Sequence, residues 1–99
     1  MPTPYALHVV FELKDQAAAE SFDALVAETL PGIHAEPGTL IYTVHQPVGE
    51  PLQRVLYELY ADEDAFQVHE EQPHTKRMLR DREQYLAAAP AVTFMHLRR

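Results

Sequence analysis

From Tyr5 to Leu13 the side chains alternate: Leu7, Val9, Phe11 and Leu13 fall on one side, and Ala6, His8, Val10 and Glu12 on the other. A period of two marks a strand with one face in a core. The period then changes. Asp15 is a fitting N-cap, and Phe22, Leu25, Val26 and Leu30 follow helical spacing, so a helix is predicted that Pro31-Gly32 kinks or ends. Glu36-Pro37-Gly38 marks a turn, Thr39 to Gln46 reads as a second strand, Pro47 to Pro51 as a hairpin-length loop, and Arg54 to Ala61 as a third strand. Asp62 to Ala65 opens a helix with acids that suit its N-terminal dipole, and that helix carries Phe66 and His69. After Pro73 a longer helix presents Met78, Leu79, Tyr85 and Leu86, and Ala91 to Leu97 is the last strand. The order β-α-β-β-α-β with a broken second helix is the ferredoxin-like signature. It predicts an α+β fold with a four-stranded antiparallel sheet and helices on one side.

Both faces of the strands are largely apolar. Leu56, Glu58 and Tyr60 oppose Val55, Tyr57 and Leu59; Val92, Phe94 and His96 oppose Thr93, Met95 and Leu97. Helices can cover only one face, so a homodimer packed sheet to sheet is expected. The length of 99 residues predicts one domain over residues 1–99, of a size that gains from a subunit partner. Eight basic against fifteen acidic residues give a net charge of −7, which argues against nucleic acid and anionic membranes as partners. There is no cysteine, so neither disulfides nor thiolate chemistry are in play. The first residues lack a basic segment followed by a long apolar run, and no apolar stretch approaches the roughly 20 residues of a membrane span. A cytoplasmic location is the expectation.

His69-Glu-Glu-Gln-Pro-His74 differs little from the HExxH pattern of zinc proteases. That pattern works because i and i+4 share a helix face. At i and i+5 the two imidazoles stand about 140° apart on a straight helix. Pro73 is also costly inside a helix, so the first helix should end near Gln72 and Pro73 should open the next. The expectation is therefore a helix–helix corner with a histidine on each side, and no metal. No other histidine pair has sound ligand spacing. With three glycines and no glycine-rich phosphate loop, a nucleotide cofactor is not expected.

The segments EPGTLIYTVHQ and RVLYELYADEDAFQVHEEQPHTKRML together resemble the antibiotic biosynthesis monooxygenase domain of the dimeric α/β-barrel superfamily. The likeness rests on Glu36-Pro37-Gly38, on Glu58-x-Tyr60 at a strand end, on the acids Asp62 to Asp64, and on His69 and His74 at the corner. It implies a dimeric α/β barrel with a pocket between sheet and helices in each subunit. Several such relatives oxidise quinols or anthrones with O2 and no cofactor, and others cleave haem or isomerise small metabolites; the fold alone does not choose. Haem-cleaving relatives carry Trp where His69 stands and a His ligand about where Leu79 stands, whereas this chain has no Trp. Anthrone oxygenases carry Asn near Leu56 and Trp at Tyr60. The His69–His74 corner is closer to the quinol-oxidising relatives.

His69 is the leading base, since an imidazole titrates near neutrality. His74 and Tyr60 are candidate donors to a substrate oxygen, and Phe66, Leu56 and Met78 candidate apolar walls. Glu58 is placed to orient a histidine or to pair with Arg80 or Arg82, because a carboxylate among apolar neighbours is rarely left unpaired. His8 and His45 lie on strands and are weighed as pocket or rim residues; His34 and His96 read as solvated or interfacial. Each histidine also has a purely structural reading. Three functions follow: a cofactor-independent monooxygenase of a small aromatic quinol or anthrone, a cofactor-free isomerase, and a non-catalytic ligand-binding dimer.

Overall fold

The computed structural model describes residues 3–99. Its elements are β1 (Tyr5–Glu12), α1 (Gln16–His34), β2 (Thr39–His45), β3 (Gln53–Tyr60), α2 (Glu63–Glu70), α3 (Pro73–Asp81), a 3-10 helix (Arg82–Tyr85) and β4 (Ala91–His96). The sheet is antiparallel in the order β2-β3-β1-β4, and it is open, as the ferredoxin-like pattern requires. Leu7 pairs with Glu58 and Phe94, and Val9 with Leu56 and Val92. These six residues therefore share the helix-facing side of the sheet. Leu7, Val9, Phe11 and Leu56 form the core there with Phe22, Leu25, Val26 and Ile33 of α1. The rings of Phe11 and Phe22 sit 5.0 Å apart and tilted.

Two expectations are corrected. The first helix does not end at Pro31-Gly32 but runs on to His34. Proline removes one N–H, yet the next turn still closes through Ala35 N–H to the Pro31 carbonyl at 3.2 Å, and Ile33, 1% exposed, holds that turn in the core. The helix after Pro73 is shorter than predicted. It stops at Asp81, tightens into the 3-10 turn, and releases Leu86 to bridge Leu13.

The break between α2 and α3 has a local cause. Asp62 caps α2 by accepting from Ala65 N–H at 2.8 Å, and Glu63 and Asp64 suit the first turn. Gln72 is extended, with ψ 143°, as the residue before a proline prefers, and Pro73 then starts α3. Among the described residues no helix is long and apolar enough to cross a membrane.

The sheet face without helices carries half-buried Val10, Val55, Tyr57, Leu59 and Met95, together with exposed Ile41. At the other edge, Val92 and Phe94 of β4 face the helix side yet are 43% and 55% exposed, because no helix reaches over that strand.

Candidate functional site

The corner does what a straight helix cannot. His69 in the last turn of α2 and His74 in the first turn of α3 converge on one carboxylate, Glu36. Glu36 Oε1 lies 2.8 Å from His69 Nδ1 and accepts from Thr39 Oγ1 at 2.7 Å, while Oε2 meets His74 Nε2 in a short hydrogen bond. The backbone locks this carboxylate in place. Glu36 N–H returns to the Ile33 carbonyl, and Ala61 N–H reaches the Gly38 carbonyl at 2.9 Å. A Cβ on Gly38 would stand 2.6 Å from Ala65 Cβ, so only glycine lets α2 pack against the turn. Burial disfavours the charged form of Glu36, but the hydrogen bonds from Thr39, His74 and His69 together outweigh it and hold the carboxyl below its usual range. An ionised carboxylate only accepts. Nδ1 of His69 must then donate, which leaves the Nε2 lone pair free.

That Nε2 lies 3.8 Å from Glu58 Oε1, too far for a hydrogen bond. Glu58 accepts a short hydrogen bond from Tyr60 Oη. Burial pushes the Glu58 carboxyl up to about 7, against the lowering effect of Tyr60. Tyr60 is pushed strongly up by burial and by Glu58, so it remains a phenol.

Glu58 and His69 line a cavity of about 110 Å3 with Leu7, Val9, Thr29, Ile33, Tyr42, Phe66, Glu70, Thr75, Met78, Leu79, Arg82, Val92 and Phe94. The exposed side chains of Val92 and Phe94 place its mouth beside β4. Phe66 stands at 6.0 Å, edge to face, against Phe94 and closes the wall next to His69. Tyr42 packs its ring 5.8 Å from His69, and its hydroxyl makes no hydrogen bond among the described residues.

Of the residues singled out from sequence, the fold brings His69, Glu58, Phe66 and Met78 together at the cavity. The others stand elsewhere. Tyr60 is fully buried behind Glu58 and has its hydroxyl engaged there, so it does not face the cavity. Leu56 is one layer deeper in the core. His74 sits on the far side of Glu36 and lines an open groove with Gly32, Pro37 and Asp62. His8 is exposed on the helix-free face, and His45 is exposed and hydrogen-bonded to Thr43. Strand alternation fixed the face of His8, but neither strand reaches the cavity with its histidine. The anticipated pairing of Glu58 with Arg80 or Arg82 is not made: Arg80 bonds Asp81, and Arg82 has no carboxylate within ion-pair distance among the described residues. Glu36, Thr39, Thr75 and Tyr42 were not foreseen. Glu36 looked like turn punctuation, and its one sequence signal is its place before Pro37-Gly38. Among the described residues, no group of three or more His, Cys, Asp or Glu is arranged to hold a metal ion.

Solved structures with this architecture are numerous. The chain superposes with TM-score 0.85 on the Rv0793 protein of Mycobacterium tuberculosis, at 24% identity over 93% of this chain and 92% of that one. It matches PA3566 of Pseudomonas aeruginosa with TM-score 0.86 at 23% identity, covering 98% and 96% of the two chains. A candidate antibiotic biosynthesis monooxygenase of Nitrosomonas europaea gives TM-score 0.90 at 19% identity over 99% and 93%. At such identities the likeness is one of fold. No curated protein matches the sequence. The profile of the antibiotic biosynthesis monooxygenase family matches residues 4–81, and the chain therefore belongs to that family.

Proposed function

We propose that the protein is a monooxygenase that uses O2 on a single-ring, quinol-type phenol without a cofactor. The observation that carries this reading is the unbonded Nε2 of a buried histidine, oriented by a carboxylate, at the end of a largely apolar cavity. In this reading His69 Nε2 removes the phenolic proton. The phenolate passes one electron to O2, and the phenoxyl radical and superoxide combine to a C–O bond. Proton uptake gives a hydroperoxide, which loses water with the remaining hydrogen on that carbon and leaves a carbonyl. One substrate and one O2 thus yield a quinone and water. Dry walls favour the step by keeping bulk water from the radical pair.

As Nε2 takes the proton, the ionised Glu36 at Nδ1–H stabilises the imidazolium that forms, and Glu36 is itself held by His74 at the outer groove. The enclosed part, about 110 Å3, is smaller than the roughly 150 Å3 cavity that holds benzene, so even a single ring must extend into the mouth beside β4, and a tricyclic anthrone is accommodated less well still. The apolar helix-free face supports a homodimer closed sheet to sheet.

The test is oxygen uptake by the chelator-treated protein on a panel of reduced monocyclic quinols, corrected for autoxidation. Saturable uptake that falls at least tenfold in His69→Ala, with the oligomer intact, is expected. Turnover that is independent of O2 would instead identify an isomerase that uses the same base.

A further inference from the structure

Arg82 is the unexplained group of this cavity. It lies on the 3-10 turn after α3 and lines the cavity. Its guanidinium carbon stands 5.0 Å over the ring of Phe11, on the apolar side of the sheet. A cation over an aromatic face gains something, but that contact uses none of its five N–H donors. Nε is buried with no hydrogen-bond partner, and no other atom of the side chain is hydrogen-bonded or ion-paired among the described residues. Burial, the largest influence, makes the charged form harder to keep, although Tyr42, Glu83, Glu58 and Glu70 favour it. A fork of donors held in a partly dry site without an acceptor is a poor structural device and a good receptor for a planar carboxylate.

We propose that Arg82 is the anion anchor of the cavity, so that the ligands are monocyclic phenols bearing a carboxylate, with the acid on Arg82 and the hydroxyl toward His69. The proposal rests on the phenol reading given above and narrows its substrate class. The mouth beside Val92 and Phe94 gives a ring substituent room that the enclosed part lacks. Glu70 lines the same cavity and makes no ion pair among the described residues, so its carboxylate opposes an anionic ligand there.

The experiment is equilibrium binding by NMR titration under nitrogen, with 4-hydroxybenzoate and its neutral isostere 4-hydroxybenzamide. The acid should bind about tenfold tighter or more than the amide, as a charge-assisted fork contact provides. Arg82→Gln should level the two ligands, and Arg82→Lys, which keeps the charge but not the fork, should fall between. Glu70→Gln should tighten the acid and leave the amide unchanged. Equal binding of acid and amide, a preference that survives Arg82→Gln, or no binding of either ligand overturns the anchor. Because the readout needs no turnover, the two readings separate. Selective acid binding without any oxygen uptake rejects the oxygenase and keeps the anchor. Uptake on neutral quinols with no acid preference does the reverse.

Discussion

Replacing Glu58 by Gln keeps the side-chain shape and an amide oxygen to accept from Tyr60, and it removes a charge that the fold holds at a cost. Glu58 is 5% exposed, so solvent screening gives little relief. Its carboxyl stands at about 7 rather than its ordinary 4.5, with burial as the chief cause. That gap corresponds to about 3 kcal/mol of folding free energy. The sign follows from the raised value. The folded chain holds this proton more tightly than the unfolded chain, so the associated stability is complete below pH 4.5 and is lost as the pH rises through about 7. The variant has no such proton to lose. Urea denaturation of both proteins from pH 4 to 9 should therefore show Glu58→Gln gaining on the parent by about 3 kcal/mol, nearly all of it between the two values. For a domain of this size the gain amounts to a Tm difference on the order of 10 °C. Every other titrating group is common to both proteins and drops out of the difference. Two curves that run parallel across the range would refute the reasoning: Glu58 would then ionise as a surface acid does, and this end of the cavity would be wet.

Glu36→Gln removes the carboxylate that accepts from Thr39, His69 and His74, and it should lower stability at pH 7 by about 2 kcal/mol or more in chemical denaturation. Because the Glu36 carboxyl is held below its ordinary range, the parent loses this stability as the pH falls below about 4.5, and the variant should show a flatter acid limb. Gly32→Ala would put a Cβ 2.7 Å from His74 Nδ1; the ring must leave Glu36, and a lower Tm is expected even though alanine favours the helix by about 0.5–1 kcal/mol. A raised Tm would mean that His74 contributes nothing there. Tyr57→Asp puts a charge in the middle of the half-buried helix-free face, and light scattering should show the mass of the particle halved; an unchanged mass argues against the sheet-to-sheet dimer.

The sequence by itself determined the order and type of the elements, the cap at Asp15, the strand faces and the break at Pro73. Each follows from local rules: a period of two or of 3.6, a side chain that can cap, a proline with no N–H. Where local rules met the core they lost. Pro31 did not end α1, because burying Ile33 outweighed one missing hydrogen bond. The candidate site was legible only in part. His69 could be found because it shares a face with Phe66, and Glu58 because an acid between apolar residues draws attention. Glu36 could not, since a carboxylate in a turn looks solvated until the chain brings α2 and α3 over it from more than thirty residues away. Tyr60, read as a donor to substrate, is Glu58's partner, and Arg82, weighed with Arg80 as a partner for Glu58, has none among the described residues. Which buried polar group meets which depends on how the layers stack, and spacing along one chain does not encode it.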